Sequence, residues 1–147
     1  MKIFYFSASL LASTAFGLSF DVTTTDSLVA SMDDVSYSCT FENEWSGSNH
    51  PIDYPSNAHW SPPVLVAHDS GYEMWSKDGM ATAGVEMVAE TGSPDTILRE
   101  IAESPSTGDV VLGEATFNSD TQMQSFNSID MTSTRHLLST ITMIAPR

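Results

Sequence analysis

Apolar positions along this chain change period from block to block, and each period predicts an element. Val35 to Glu44 alternates, with Tyr37, Cys39 and Phe41 on one side, the two-residue period of a strand with one buried face. Val64-Leu65-Val66-Ala67 is a short apolar run of strand type. Gly71 to Trp75 reads as the next strand, with His68-Asp69-Ser70-Gly71 as the turn, so the spacing predicts a hairpin. From Ala81 the period becomes helical. Ala81, Val85, Val88 and Ala89 share a face, and Gly92 is placed as a C-terminal cap. Gly84 inside this helix costs about 1 kcal/mol relative to Ala, which predicts a close contact with the sheet at that point.

Ser93-Pro94-Asp95 starts a second helix, with an N-cap hydroxyl, a Pro at the first helical position and a carboxylate at the positive end of the dipole. It runs to about Glu103 with Ile97, Leu98, Ile101 and Ala102 on one face, and Ser104-Pro105 stops it. Asp109 to Phe117, Met123 to Ile129 and Leu137 to Ile144 are the later strands. Strands, a helical pair and more strands predict a mainly β domain, an antiparallel sheet with two short helices laid on it. Between Trp45 and Ser61, Pro51 and Pro55 prevent a long ladder or helix. Tyr54, His59 and Trp60 predict an ordered loop there, because a ring buries its area only where something packs on it.

The ends divide the chain into three. Met1-Lys2 followed by the apolar, small-residue run Ile3 to Leu18 has the form of a signal peptide over residues 1–18, which places the rest outside the cell. The run is short for a membrane span. Residues 19–34 are rich in Asp, Ser and Thr and read as a flexible acidic leader. Residues 35–147 are left for one folded unit with a single small core.

Net charge is −14, with five Lys and Arg in all. No basic patch exists to neutralise phosphates, which excludes nucleic acid and anionic membrane surfaces as partners and favours a cation or a basic protein or matrix surface. The one cysteine, Cys39, excludes an internal disulfide and is expected buried between Tyr37 and Phe41. No Asn-x-Ser/Thr sequence is present for N-glycosylation.

Candidate chemistry is thin. His50, His59 and His68 recur every nine residues, and with Asp69 or Glu90 they are the raw material of a zinc site. Their spacing lacks the short separations by which such sites are recognised. Glu86 and Glu90 lie four apart on one helix face, a pattern that suits a solvated face as well as acid/base work, and Glu90 is a candidate to bond backbone amides near Gly92. No Gly-x-Ser-x-Gly elbow occurs. An extracellular hydrolase using His50, His59, His68 and Glu90 is therefore the alternative reading, and the expectation is that the chain is not an enzyme.

The order Trp45, His50-Pro51, Tyr54-Pro55, Ala58-His59-Trp60-Ser61-Pro62, Ala67-His68, Tyr72 through Trp75, Ala81, Gly84-Val85 and Val88-Ala89-Glu90-Thr91-Gly92 resembles the spondin domain of the F-spondin and mindin family. The resemblance runs from about Tyr37 to Pro146. It implies an antiparallel β-sandwich related to the C2 fold and a secreted, non-enzymatic binding or cell-adhesion module of the extracellular matrix, with matrix, cell-surface or microbial-surface partners. It also implies a calcium site of acidic side chains, for which Asp130 is the best match in this sequence. Asp130 and Arg135-His136 stand about two residues further apart than the family pattern. The family continues past Met143-Ile144-Ala145-Pro146 with Ser-Pro-Asp-Trp and further strands, so the expectation is a domain lacking its last strands, with calcium inherited in part at most and Leu137 to Ile144 left exposed to other chains.

Overall fold

The computed structural model describes residues 6–8, 20–21, 34–117 and 123–146. Its strands are β1 (Phe6–Ala8), β2 (Phe20–Asp21), β3 (Asp34–Glu42), β4 (His59–Trp60), β5 (Val64–His68), β6 (Thr107–Leu112), β7 (Thr116–Phe117), β8 (Met123–Thr132), β9 (Leu137–Ile141) and β10 (Ile144–Ala145). Two helices, α1 (Ala83–Thr91) and α2 (Asp95–Glu103), lie between β5 and β6. The strands form three antiparallel sheets, in the orders β1-β9-β5-β6, β10-β4-β7 and β2-β3-β8.

β5 organises the molecule. All five of its residues are buried, and because side chains alternate across a strand they serve two cores. Val64 and Val66 pack with Val85, Val88, Ile97, Ile101 and Ile141, filling the space between the four-stranded sheet and the helices. Leu65 and Ala67 pack with Cys39, Phe126, Ile129, Met131 and Leu138, filling the space between that sheet and the β2-β3-β8 sheet. The mainly β, sandwich-like architecture follows from this double burial. Cys39 lies where the alternation of β3 predicts, buried with Tyr37 and Phe41 against the same core, and burial raises its thiol pKa.

The helices match their local signals closely. Thr82 caps α1 by accepting the Val85 amide at 3.2 Å, and Gly92 closes it at φ 74°, a left-handed conformation that glycine adopts without cost. Ile97 and Ile101 of α2 are buried with Leu98 packed beside them, and each buried isoleucine contributes about 1.5–3 kcal/mol. Ala102 of the same predicted face is exposed. The cap of α2 sits one residue later than expected, at Pro94, with Ser93 Oγ accepting the Asp95 amide at 3.4 Å. Gly84 approaches α2 and not the sheet. A Cβ there would stand 2.7 Å from the Ile97 Cα, and its amide donates to Glu100 Oε1 at 2.7 Å.

The predicted hairpin does not form. Gly71 to Trp75 is not a strand, and β5 pairs instead with β6 and β9 from the far half of the chain. A turn centred on Asp69 carries the chain off the sheet, since the Asp69 carbonyl accepts the Tyr72 amide and its carboxylate accepts the Gly71 amide. Two predicted strands are divided. Asp109 to Phe117 becomes β6 and β7, and Leu137 to Ile144 becomes β9 and β10, the latter break arising where Thr142 and Met143 turn to bond Ser61. Of the segments read as signal peptide and leader, Phe6–Ala8 pairs with β9 and Phe20–Asp21 pairs with β3; the remainder of residues 1–33 lies outside the described residues. No helix among the described residues is long and apolar enough to cross a membrane.

Candidate functional site

The segment 43–63 is held by buried polar groups. Asn43 is 6% exposed, and its Oδ1 accepts both the Trp45 amide at 2.9 Å and the Trp60 indole N–H at 2.7 Å. Trp60 meets Phe41 edge-on at 5.4 Å, and Tyr54 meets Trp45 edge-on at 5.3 Å while its hydroxyl donates to the Trp45 carbonyl. Ser61 ties the end of the segment to the far strand: its hydroxyl accepts the Met143 amide at 2.8 Å and its carbonyl accepts the Thr142 hydroxyl at 2.7 Å. Each buried side-chain polar atom of the segment thus has a partner, as a loop under so many rings requires.

His68 sits at the end of β5, 3% exposed, on the helix side of the sheet. Its Nδ1 donates to the Asp69 carbonyl at 2.7 Å, and its Nε2 hydrogen-bonds the Ser139 hydroxyl at 2.8 Å. Tyr72 stands edge-on to the imidazole at 5.2 Å. Burial, then the negative charge of Glu100, pushes the Tyr72 pKa up to about 12. Asp69 moves the other way, because the Gly71 amide bonds its carboxylate and Ser106, Arg135 and His68 add to that stabilisation of the charged form. Beside this cluster opens a cleft of about 510 Å³, bounded by β9 and by residues 70–77 and including His68, Tyr72, Met74, Trp75, Ser139 and Thr140.

Asp130 lies elsewhere, exposed on β8. Its carboxylate accepts the hydroxyl of Ser36, its register partner on β3, and its amide donates to Asp109 Oδ2 of β6 at 2.9 Å. Two carboxylates and a hydroxyl therefore meet at one corner of the sandwich.

The sequence candidates are not gathered into one centre. His50 is exposed in the first loop, His59 bonds the Asn57 carbonyl from β4, and His68 is buried with Ser139. Glu90 is exposed on α1; the Gly92 amide that it was a candidate to bond is taken by the Val88 carbonyl, and the Ser93 amide by Thr91 Oγ1. Among the described residues no group of three or more His, Cys, Asp and Glu is placed to hold a metal ion. Asn43, Asp109 and Ser139 were not legible as partners. Ser139 alone left a trace, as a hydroxyl inside the apolar run Leu137 to Ile144.

The family model Spondin_N matches residues 35–147. The chain belongs to the spondin N-terminal domain family. Spondin-1 of Rattus norvegicus is 35% identical over 121 residues, covering 75% of this chain and 14% of its own length. Spondin-1 of Homo sapiens is 36% identical over 118 residues, with the same coverage, and Spondin-2 of Homo sapiens is 37% identical over 68 residues, covering 44% of this chain and 20% of its own. The chain thus spans about one seventh of the length of the Spondin-1 relatives.

Within this spondin domain the residues that carry the resemblance have structural tasks. Trp45, Tyr54 and Trp60 lock the first loop, Ser61 fastens it to the segment after β9, and Ala58 and Ala67 are buried in the core. His68 fixes the exit from β5, and Gly92 turns α1 toward α2. For calcium, which takes about six to eight oxygens, the Asp130 corner is a partial fit: Asp109 and Ser36 add oxygens, and one Asp130 oxygen already accepts a hydroxyl proton.

Proposed function

We propose that this spondin domain is a secreted, extracellular binding module without catalytic activity, which recognises protein or matrix surfaces outside the cell, and that residues 1–18 are its removable signal peptide. The observation that carries the reading is the use of the histidines as scaffold: His59 and His68 bond carbonyls of their own loops, and the second nitrogen of His68 is occupied by Ser139. An acidic surface of net charge −14 supports basic protein or matrix partners over nucleic acid or anionic lipid. Calcium enters the proposal only through Asp130, with Asp109 beside it, as a weak site on the partial ligand set described above.

Expression in a secreting cell tests location. The chain is expected in the medium, with a mass lacking residues 1–18; retention inside the cell would overturn it. His50→Ala, His59→Ala and His68→Ala separate module from hydrolase: a module loses stability at His68, whereas a hydrolase loses turnover of an ester or peptide substrate while its melting curve is unchanged. Melting with and without millimolar calcium decides the metal, since a ligand that binds the folded state raises Tm; an unmoved Tm removes calcium from the account.

A further inference from the structure

We infer that the Asp78–Gly79 bond is a site of self-modification, at which the Gly79 amide nitrogen cyclises onto the Asp78 carboxyl and water reopens the ring to leave an isoaspartyl link in the main chain. The inference goes beyond the reading of the domain as a binding module and does not depend on it.

Sequence supplies the first condition. Ring closure needs the nitrogen of the next residue to approach the Asp Cγ, and a side chain on that residue crowds the approach. Asp78 is the one Asp in the chain followed by Gly, and no Asn is followed by Gly. The structure supplies the rest. Lys77 and Asp78 form the centre of a turn closed by the Gly79 amide, which donates to the Ser76 carbonyl at 3.2 Å, the long end of the range for such bonds. Asp78 holds φ 67°, where its Cβ crowds the following carbonyl oxygen and where Gly or Asn is the usual occupant. Lys77, Asp78, Gly79 and Met80 are all exposed, and among the described residues no hydrogen bond holds the Asp78 carboxylate away from Gly79.

Other Asp residues lack one condition or another. Asp53 shares the positive φ, at 55°, but the next residue is Tyr54, whose ring and hydroxyl are fixed on Trp45. Asp69 precedes the small Ser70, yet its carboxylate accepts the Gly71 amide at 2.6 Å, which lowers its pKa and holds it in the charged form, the poorer electrophile. Asp109 is tied through both oxygens, to the amides of Val110 and Asp130.

The step balances without an added reagent. The Gly79 nitrogen forms a bond to Asp78 Cγ, and the carboxyl hydroxyl leaves with the amide proton as water, giving a succinimide. Water then adds to either carbonyl of the ring. Addition at Cγ restores aspartate, whereas addition at the main-chain carbonyl breaks its bond to Gly79 and routes the chain through Cβ and Cγ. Mass is unchanged, and the released α-carboxyl stays ionised at neutral pH, so charge is unchanged too. The main chain gains one atom between the exposed side chains of Trp75 and Met80, which gives this surface a second form.

The test holds the full chain at neutral pH and body temperature for weeks, then cuts after glutamate to release residues 74–86. Electron-based fragmentation distinguishes isoaspartate from aspartate at equal mass. We expect isoaspartate at residue 78, forming within about tenfold of the rate in a synthetic peptide of residues 74–86, since a single net hydrogen bond restrains the site by no more than that. In water enriched in heavy oxygen, the product should carry one heavy oxygen. Gly79→Ala should form it at least about tenfold more slowly. The added Cβ meets the Ser76 hydroxyl, which can rotate away, so this variant should fold. Asp78→Glu keeps the charge and should give no isomer there. The inference is overturned by a chain more than about tenfold slower than the peptide, by product without heavy oxygen, by an unchanged rate in Gly79→Ala, or by equal product at Asp53 or Asp69. Should Gly79→Ala fail to fold, the unsubstituted chain against the peptide still decides.

Discussion

Two aromatic loops flank β5, residues 43–63 before it and 69–80 after it, and they are built in opposite ways. The first has its polar atoms buried and paired: Asn43 receives two donors, Tyr54 bonds the Trp45 backbone, and Ser61 bonds Thr142 and Met143. The second turns on Asp69 and then opens outward, with Trp75 half exposed and Met80 97% exposed. Similar composition therefore yields a fastened scaffold on one side of β5 and a cleft wall on the other. Presence of Trp and His does not mark a binding site; what fastens the first loop is a buried acceptor, Asn43 Oδ1, that receives a ring N–H and a backbone amide together.

The strongest way to break this comparison is to remove the shared acceptor of the first loop. Asn43→Ala removes the acceptor that the Trp45 amide and the Trp60 indole N–H share, and each hydrogen bond lost from a part-buried donor costs about 1–2 kcal/mol. The expected loss is about 2–4 kcal/mol, read as a lower urea midpoint. Asn43→Asp retains the oxygen and should recover most of it. A loss below about 1 kcal/mol in Asn43→Ala would mean that the first loop is no better fastened than the second.

Asn43 also shows where sequence reading stops. α1 and α2 were legible because their signals are local: Gly92 at the end of one, Ile97 and Ile101 one turn apart in the other. Cys39 between Tyr37 and Phe41 was legible for the same reason. The hairpin from Val64 to Trp75 failed because proximity in sequence favoured Gly71–Trp75 as partner, whereas β5 finds its neighbours at residues 107–112 and 137–141. Tyr37 opposite Ile129, Ser36 against Asp130 and His68 against Ser139 are likewise joined only by the closed fold. An isolated Asn or Ser carries no period that announces such a partner.

The junction between the loops gives a smaller effect. Ser139→Ala leaves His68 Nε2 buried beside a methyl group, at an expected cost of about 1–2 kcal/mol by denaturant titration, because one hydrogen bond and not two is lost. Ser139→Thr keeps the hydroxyl and should lie between. An unchanged midpoint in Ser139→Ala would show that the pair does not position the exit from β5.

Tyr72 refines the account of the second loop through pH. An unfolded tyrosine loses its proton near pH 10, whereas Tyr72 in the fold holds it until about 12. Between those values the folded state binds more protons than the unfolded one, so this contribution to stability is whole below pH 10 and is lost as pH rises toward 12. Tyr72→Phe should flatten that part of the alkaline decline. An identical slope in both proteins would mean that Tyr72 is as solvated in the fold as in the unfolded chain.

The smallest effect on stability is expected at Trp75, and it separates the loops most cleanly. With 49% of its surface exposed, the side chain removes little area from water on folding, and substitutions at such sites usually stay within about 0.5 kcal/mol. Trp75→Ala should therefore melt close to the unsubstituted chain, although it deletes a larger ring than any polar change above. Its consequence belongs to the cleft, whose aromatic wall it removes while the fold is retained. A Trp75→Ala chain that is strongly destabilised would place this ring among the fastenings of the scaffold, beside Trp45 and Trp60, and would erase the distinction between a loop that holds the domain together and one that borders a cleft.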